Sequence, residues 1–288
     1  MYATQMNKFF TFIALAAVAV FFASASSCSQ SADVTTNVEA TAVAQDEDGQ
    51  TAENVAPAAQ EAQATDQTEA DKAWEKVKKK AMKSGQVQIE TPMGNILVQL
   101  YDETPIHKEN FLKLAYTGYY DDLLFHRVMN QFMIQGGDPD SKDAAPGQQL
   151  GRGGPDYKLD AEIKTGLIHK KGALAAARQP DQVNPGKKSS GSQFYIVQGK
   201  AFPRDAFQAR VEGGNAARAE GQQVKYTEED LKAYETNGGY PYLDGEYTVF
   251  GEVLEGLDVV DKIALVTVDR ANRPTEDVRM KMTVVGVK

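Results

Sequence analysis

From residue 86 to residue 100 apolar and polar positions alternate, with Val87 and Ile89 on one face, then Thr91-Pro92-Met93-Gly94-Asn95, then Ile96, Val98 and Leu100. A period of two on both sides of a Pro/Gly turn predicts a β-hairpin. Thr104 stands before Pro105, a favoured first helical residue, and Phe111, Leu112, Leu114 and Ala115 follow at helical spacing until Gly118. That pattern predicts one amphipathic helix capped by Thr104. Short apolar runs recur at 123–128, 132–135, 172–177, 193–197, 247–253 and 278–287, separated by Gly-, Pro- and Asp-rich turns, and a second helix is predicted over 257–264. Many short strands with two helices favour a closed barrel or sandwich over an α/β sheet.

The stretch 202–239 breaks this rhythm. It is rich in Ala, Glu, Gln and Lys, carries a helix signal beginning at Thr227 (TEEDLKAYE) and ends in Asn237-Gly238-Gly239, so it reads as a helical insertion in a β scaffold. Residues 72–85 form a short helical lead-in with Trp74, Val77 and Met82 as its main apolar positions. The folded domain is therefore expected over 86–288.

Upstream the pattern is of another kind. Lys8 precedes an apolar run at 9–23, followed by Ala25-Ser26-Ser27 and then Cys28. The run is shorter than the roughly 20 residues of a membrane span and suits a signal-peptide core. Small residues directly before the lone cysteine resemble a bacterial lipoprotein signal, with residues 1–27 removed and Cys28 carrying the lipid. Export to the cell envelope, with attachment to a membrane facing the periplasm, is the expectation. Residues 28–71 lack any aromatic and cannot bury enough apolar surface to offset their ordering entropy, so they are expected to be a disordered acidic tether.

Charge sharpens that division. Residues 29–71 hold ten Asp or Glu and no Lys or Arg, whereas residues 72–288 hold thirty of each sign. A near-neutral folded domain has no basic footprint, which argues against nucleic acid as a partner. One cysteine and three histidines (His107, His126 and His169) leave little for a metal cluster or thiol chemistry. His107 reads as a helix-surface residue, His169 as a loop residue, and His126 as packed on the strand face opposite Arg127.

Three segments concentrate polar side chains among apolar and aromatic ones: FHRVMNQFMIQGGDP at 125–139, GSQFYIV at 191–197 and YLDGEYTVFG at 242–251. Arg127, Gln135 and Gln193 sit within strand-like runs, where polar groups need partners or a ligand. Together the segments resemble the cyclophilin family of peptidyl-prolyl cis-trans isomerases, over roughly residues 86–288. The resemblance implies a mainly β fold, a closed eight-stranded antiparallel β-barrel capped by two helices, here with the helical insertion. A barrel this size is filled by its own side chains, so the site must be an outer groove.

Residue by residue, the resemblance implies Arg127 as the catalytic arginine, with Phe132, Met133 and Leu243 around a proline ring. Gln135 and Gln193 would hold the substrate backbone, and Ala177 would line the neighbouring groove. Tyr195 takes a position usually filled by Phe. Arg178 stands where eukaryotic members often have Asn, Tyr242 where many have Trp and Tyr247 where many have His, which affects expected cyclosporin binding more than catalysis. The implied substrates are proline-containing unfolded or extended polypeptides, handled by a monomer. The other reading of the same groove is a non-enzymatic proline-peptide-binding chaperone or assembly factor.

The residue types suit the implied reaction, which requires no nucleophile, metal or other cofactor. The barrier to amide rotation, about 18–20 kcal/mol, comes from resonance between nitrogen and carbonyl. A guanidinium that donates to the prolyl nitrogen as its lone pair localises favours the twisted form over either planar one.

Overall fold

The computed structural model describes residues 56–216, 218 and 223–287; Cys28, the apolar run before it and most of the expected tether lie outside the described residues. The chain begins with α1 (Ala56–Ser84), β1 (Gln86–Thr91), β2 (Gly94–Leu100), α2 (Pro105–Tyr116), β3 (Arg127–Met129) and β4 (Met133–Gly136). Then come β5 (Lys158–Leu159), β6 (Ala173–Ala176), β7 (Ser189–Ser190) and β8 (Phe194–Val197). The insertion follows as α3 (Arg204–Ala216) and α4 (Glu228–Thr236), and the fold ends with β9 (Val249–Glu255), α5 (Leu257–Ala264) and β10 (Lys281–Val284).

Eight strands pair antiparallel in the order β10-β1-β2-β9-β6-β8-β4-β3, while β5 and β7 form a separate two-stranded ladder. The expected closed barrel is instead a strongly curled sheet. The segments leading into its two edge strands, β3 and β10, meet through one bridge between Leu124 and Arg279, with Phe125 N–H donating to Val278 O (2.9 Å) and Met280 N–H to Leu123 O (2.9 Å). A three-residue β3 is too short to carry a full ladder to β10, so closure is by a seam.

Alternation along the strands sorts side chains onto two faces. Ile89, Val98, Val128, Ile134, Leu174 and Ile196 face a single core, joined by Phe111 and Leu112 of α2 and by Val260 and Ile263 of α5. Phe111 is the hub of an aromatic cluster, with ring centroids 5.2 Å from Tyr120, 5.3 Å from Phe194 and 5.4 Å from Phe250.

The start of α2 differs from its sequence reading. Thr104 occupies the cap position without a side-chain capping bond. The Glu162 carboxylate takes that role from a distant loop, accepting from Ile106 N–H (3.2 Å) and His107 N–H (2.9 Å), where a negative charge also suits the helix dipole. The same carboxylate lies 2.6 Å from His107 Nδ1, and His107 Nε2 lies 2.9 Å from Ser189 Oγ. His107 is therefore buried inside the fold rather than on a helix surface. Its position on the core side was hidden because its partners are loops far along the chain.

At the N-terminal side α1 runs further back than expected: residues 56–71, read as tether, are helical, in keeping with their Ala, Gln and Glu content. Trp74 and Ala81 are buried against the core, and ion pairs of Lys78 with Glu109 and of Lys113 with Asp71 tie α1 to α2. In the insertion, α4 starts with the expected reciprocal cap, Asp230 N–H to Thr227 Oγ1 (3.2 Å) and Thr227 N–H to Asp230 Oδ2 (2.9 Å). The ends of the insertion meet where Gly239 N–H donates to Lys200 O (3.0 Å). A Cβ on Gly199 would sit 2.5 Å from Gly239 Cα, so this close crossing requires glycine.

Two buried histidines make stability depend on pH. Burial lowers the pKa of His107 and takes that of His126 down to about 4, the charge of Asp138 opposing the effect at His126. The unfolded chain, with histidine near 6.5, then binds protons that the native state refuses. Stability is expected to be level above pH 6.5 and to fall as pH drops towards 4, with His126 contributing on the order of 2 kcal/mol between pH 7 and pH 5. Denaturant midpoints across this range check the slope, which His126→Phe should flatten; an equal slope in that variant counts against the assignment.

Candidate active site

The face of the sheet opposite the core carries the site. Because the strand register is Arg127 to Gln135, Gln135 to Tyr195 and Tyr195 to Ala175, one rung sets these four side chains in a row across β3, β4, β8 and β6. The next rung carries Met129, Met133 and Val197 on the same face. The alternation that sends Val128, Ile134 and Ile196 inward is what turns the polar row outward.

Along the row runs a chain of hydrogen bonds. Arg127 donates through NH1 to Gln135 Oε1 (3.1 Å) and through NH2 to Met129 Sδ (3.2 Å). Gln135 Nε2 donates to Gln193 Oε1 (3.0 Å), and Gln193 Nε2 to Gly153 O (2.7 Å). The guanidinium carbon lies 6.0 Å from the centre of the Phe132 ring. Each amide in this chain uses its oxygen towards the arginine and its nitrogen away from it, so the guanidinium is held in one direction. A cleft of about 550 Å³ opens beside the row, with Gln135, Gly153, Ala177, Arg178 and Gln193 in its lining.

Next to the polar row is an apolar cup. Met133, Tyr195, Val197, Ala173, Ala175 and Val249 form a buried cluster, and Phe132, Leu243, Tyr247 and Ala177 pack against it. The structure thus brings Arg127, Phe132, Met133, Gln135, Ala177, Gln193, Tyr195, Leu243 and Tyr247 to one face. Arg178 belongs with them: its guanidinium sits 4.5 Å from the Tyr247 ring centre, its Nε–H donates to Glu246 O (2.9 Å), and it pairs with Asp181 (2.5 Å).

Tyr242 is attached differently. It is 43% exposed, its ring is 5.2 Å from Tyr240 and 5.7 Å from Phe202 of the insertion, and it is Tyr240 that packs on Phe132, with ring centroids 4.2 Å apart and the planes tilted by 35°. Sequence reasoning missed Tyr240, although it stands in the aromatic run Tyr240-Pro241-Tyr242-Leu243.

It also missed Asp244 and misjudged His169. Both are buried, and the Asp244 carboxylate accepts from His169 N–H (2.7 Å) and His169 Nδ1 (2.8 Å) through Oδ1. Through Oδ2 it accepts from Tyr234 (2.6 Å) and Tyr226 (2.9 Å), both in the insertion. His169 Nε2 lies 2.9 Å from the Tyr195 hydroxyl, so the loop histidine of the sequence reading is a buried link behind the cup. An acid set directly after the apolar Leu243 in an aromatic run was the available signal.

Among the described residues, no group of three or more His, Cys, Asp or Glu side chains is arranged to hold a metal ion. No helix among them is long and apolar enough to cross a membrane.

Comparison with known proteins bears on the same region. The family described as "Cyclophilin type peptidyl-prolyl cis-trans isomerase/CLD" matches residues 86–285. A putative peptidyl-prolyl cis-trans isomerase of Staphylococcus haemolyticus is 36% identical over 193 residues, which cover 67% of this chain and 86% of that protein. One of Staphylococcus aureus strain USA300 is 32% identical over 202 residues, covering 69% of this chain and 91% of that protein. Among solved structures, a Cryptosporidium parvum cyclophilin type peptidyl-prolyl cis-trans isomerase is 22% identical with a TM-score of 0.49, covering 71% of this chain and 99% of that one.

Proposed function

This chain belongs to the cyclophilin-type peptidyl-prolyl cis-trans isomerase family and catalyses rotation about Xaa-Pro bonds, and we propose that it does so on unfolded or extended exported proteins. The observation that supports this site assignment is the directed chain Arg127–Gln135–Gln193 lying against the apolar cup.

A proline ring seats in the cup formed by Phe132, Met133 and Leu243, which fixes one side of the rotating bond. Gln135 and Gln193 hold the substrate backbone and, through their own bonds, keep Arg127 extended towards it. Two of the five guanidinium donors are engaged by Gln135 and Met129. The remainder can bond the prolyl nitrogen once its lone pair localises, an interaction absent from either planar ground state. Such donors need no reorganisation at the moment of rotation, which is where most of their value lies. The reaction transfers no proton.

The role in folding and the location go together in this proposal. Xaa-Pro isomerisation takes tens to hundreds of seconds uncatalysed, slow enough to limit folding of an exported chain. Cys28, following Ala25-Ser26-Ser27 and the apolar run, is proposed to carry the lipid that holds the enzyme, as a monomer, at the membrane facing the periplasm. Full-length protein expressed in a bacterial host should sediment with membranes, release on Cys28→Ser, and in both forms shorten the proline-limited refolding phase of an added unfolded protein. Turnover of short peptides with no change in that phase would remove the folding role, and equal sedimentation of the two forms would remove the anchor.

A further inference from the structure

The insertion has a small core of its own, Phe202, Phe207 and Tyr234 packed on Ile168 of the loop before β6. That accounts for its attachment, yet it leaves two tyrosine hydroxyls pointing at one carboxylate. Asp244 follows Leu243 directly, and its two oxygens receive four donors: Tyr226 and Tyr234 from the insertion, the His169 backbone N–H and His169 Nδ1. A carboxylate only accepts, so Nδ1 carries the proton. Nε2 of the neutral ring is then an acceptor, and the Tyr195 hydroxyl donates a hydrogen bond to it (2.9 Å). Burial raises the pKa of Tyr195 and Tyr234 well above the usual tyrosine value, which keeps both hydroxyls protonated as donors.

Tyr195 is a wall of the cup. Its ring meets Tyr247 edge to face at 6.0 Å and shares the apolar cluster with Met133 and Leu243. One carboxylate therefore ties down both Leu243, by chain connection, and Tyr195, through His169. We propose that Asp244 and His169 are positioning residues through which the insertion sets the shape of the proline-binding cup. This rests on the isomerase reading of the groove.

A merely structural staple would hold the insertion on the rest of the domain and show itself in the unfolding temperature alone. A positioning network shows itself in substrate affinity, because the cup touches the proline in planar and twisted states alike; its distortion raises KM and spares kcat. Removing both insertion hydroxyls, Tyr226 and Tyr234, cuts the network at one end and removing that of Tyr195 cuts it at the other, so the two cuts count once.

The test uses the full chain with Tyr226→Phe and Tyr234→Phe together as one cut, Tyr195→Phe as the other, and the variant carrying both cuts, all losing hydroxyl oxygens only, and an Ala-Pro peptide assayed well below every unfolding temperature. Each cut is expected to raise KM about threefold with kcat nearly unchanged, and the variant with both cuts to be no worse than the worse single cut. Multiplication to about ninefold, or a lowered unfolding temperature with KM unmoved, overturns the proposal. Imidazole nitrogen NMR gives a readout independent of turnover: His169 is expected to be protonated at Nδ1 in the wild type and to become a tautomer mixture in Asp244→Asn. The same pure tautomer in that variant also overturns it. Failure of the wild type to accelerate isomerisation would sink the functional reading instead, leaving the imidazole signals to judge the network.

Discussion

Arg127→Ala is expected to lower kcat/KM for an Ala-Pro peptide by about 10²–10³-fold, the usual cost of removing a preorganised donor from a transition state. The same change should move stability by no more than about 1 kcal/mol, since Arg127 is half-buried on the face opposite the core and its loss leaves Gln135 and Met129 free to meet water. Arg127→Lys should recover little of the rate. A lysine ammonium lacks the planar fork that bonds Gln135 with one arm and the prolyl nitrogen with another. Peptide isomerisation followed by exchange NMR, with circular dichroism as the folding control, reads both quantities. Wild-type turnover in Arg127→Ala would take the arginine out of the reaction.

The second large effect lies on the other face of the sheet. Phe111→Ala is expected to cost about 3–5 kcal/mol, because it removes the ring on which Tyr120, Phe194 and Phe250 converge and leaves a cavity that strands and a helix cannot close. Urea unfolding at constant slope measures it. Turnover by the folded fraction should stay within a few-fold of wild type, since the site rung points away from this cluster. A loss below about 1 kcal/mol would show that α2 sits on the sheet without interdigitating.

Much of this architecture was legible because its signals are local. The alternation at 86–100 gives β1 and β2 their faces, and Pro105 and Gly118 bracket α2. The motif around Arg127 fixes the outward row, since register and alternation leave Gln135 and Tyr195 no other side. What was illegible depends on partners far apart in the chain. Nothing near His107 announces Glu162, and nothing near His169 announces Asp244 or Tyr195. Both histidines look like surface residues until the loops that bury them are in place. Thr104 failed as a cap for the same reason: a carboxylate from another loop outcompetes a local hydroxyl at that helix start. Tyr240 and Tyr242 show a finer limit. Two aromatics on either side of a proline cannot be told apart by pattern, and it is the turn at Pro241–Leu243 that presents Tyr240 to Phe132.

The pairing of β1 sets the order in which the molecule can be made. β1 has β2 on one side and β10 on the other, with Glu90 opposite Lys281. During synthesis, then, β1 waits with one ladder edge open until almost every other element of the domain has emerged. Such distant pairing slows folding, and an open edge is an invitation to pair with another chain. An isomerase of this architecture therefore completes its own sheet, and reaches its working form, only once β10 is available to pair with β1.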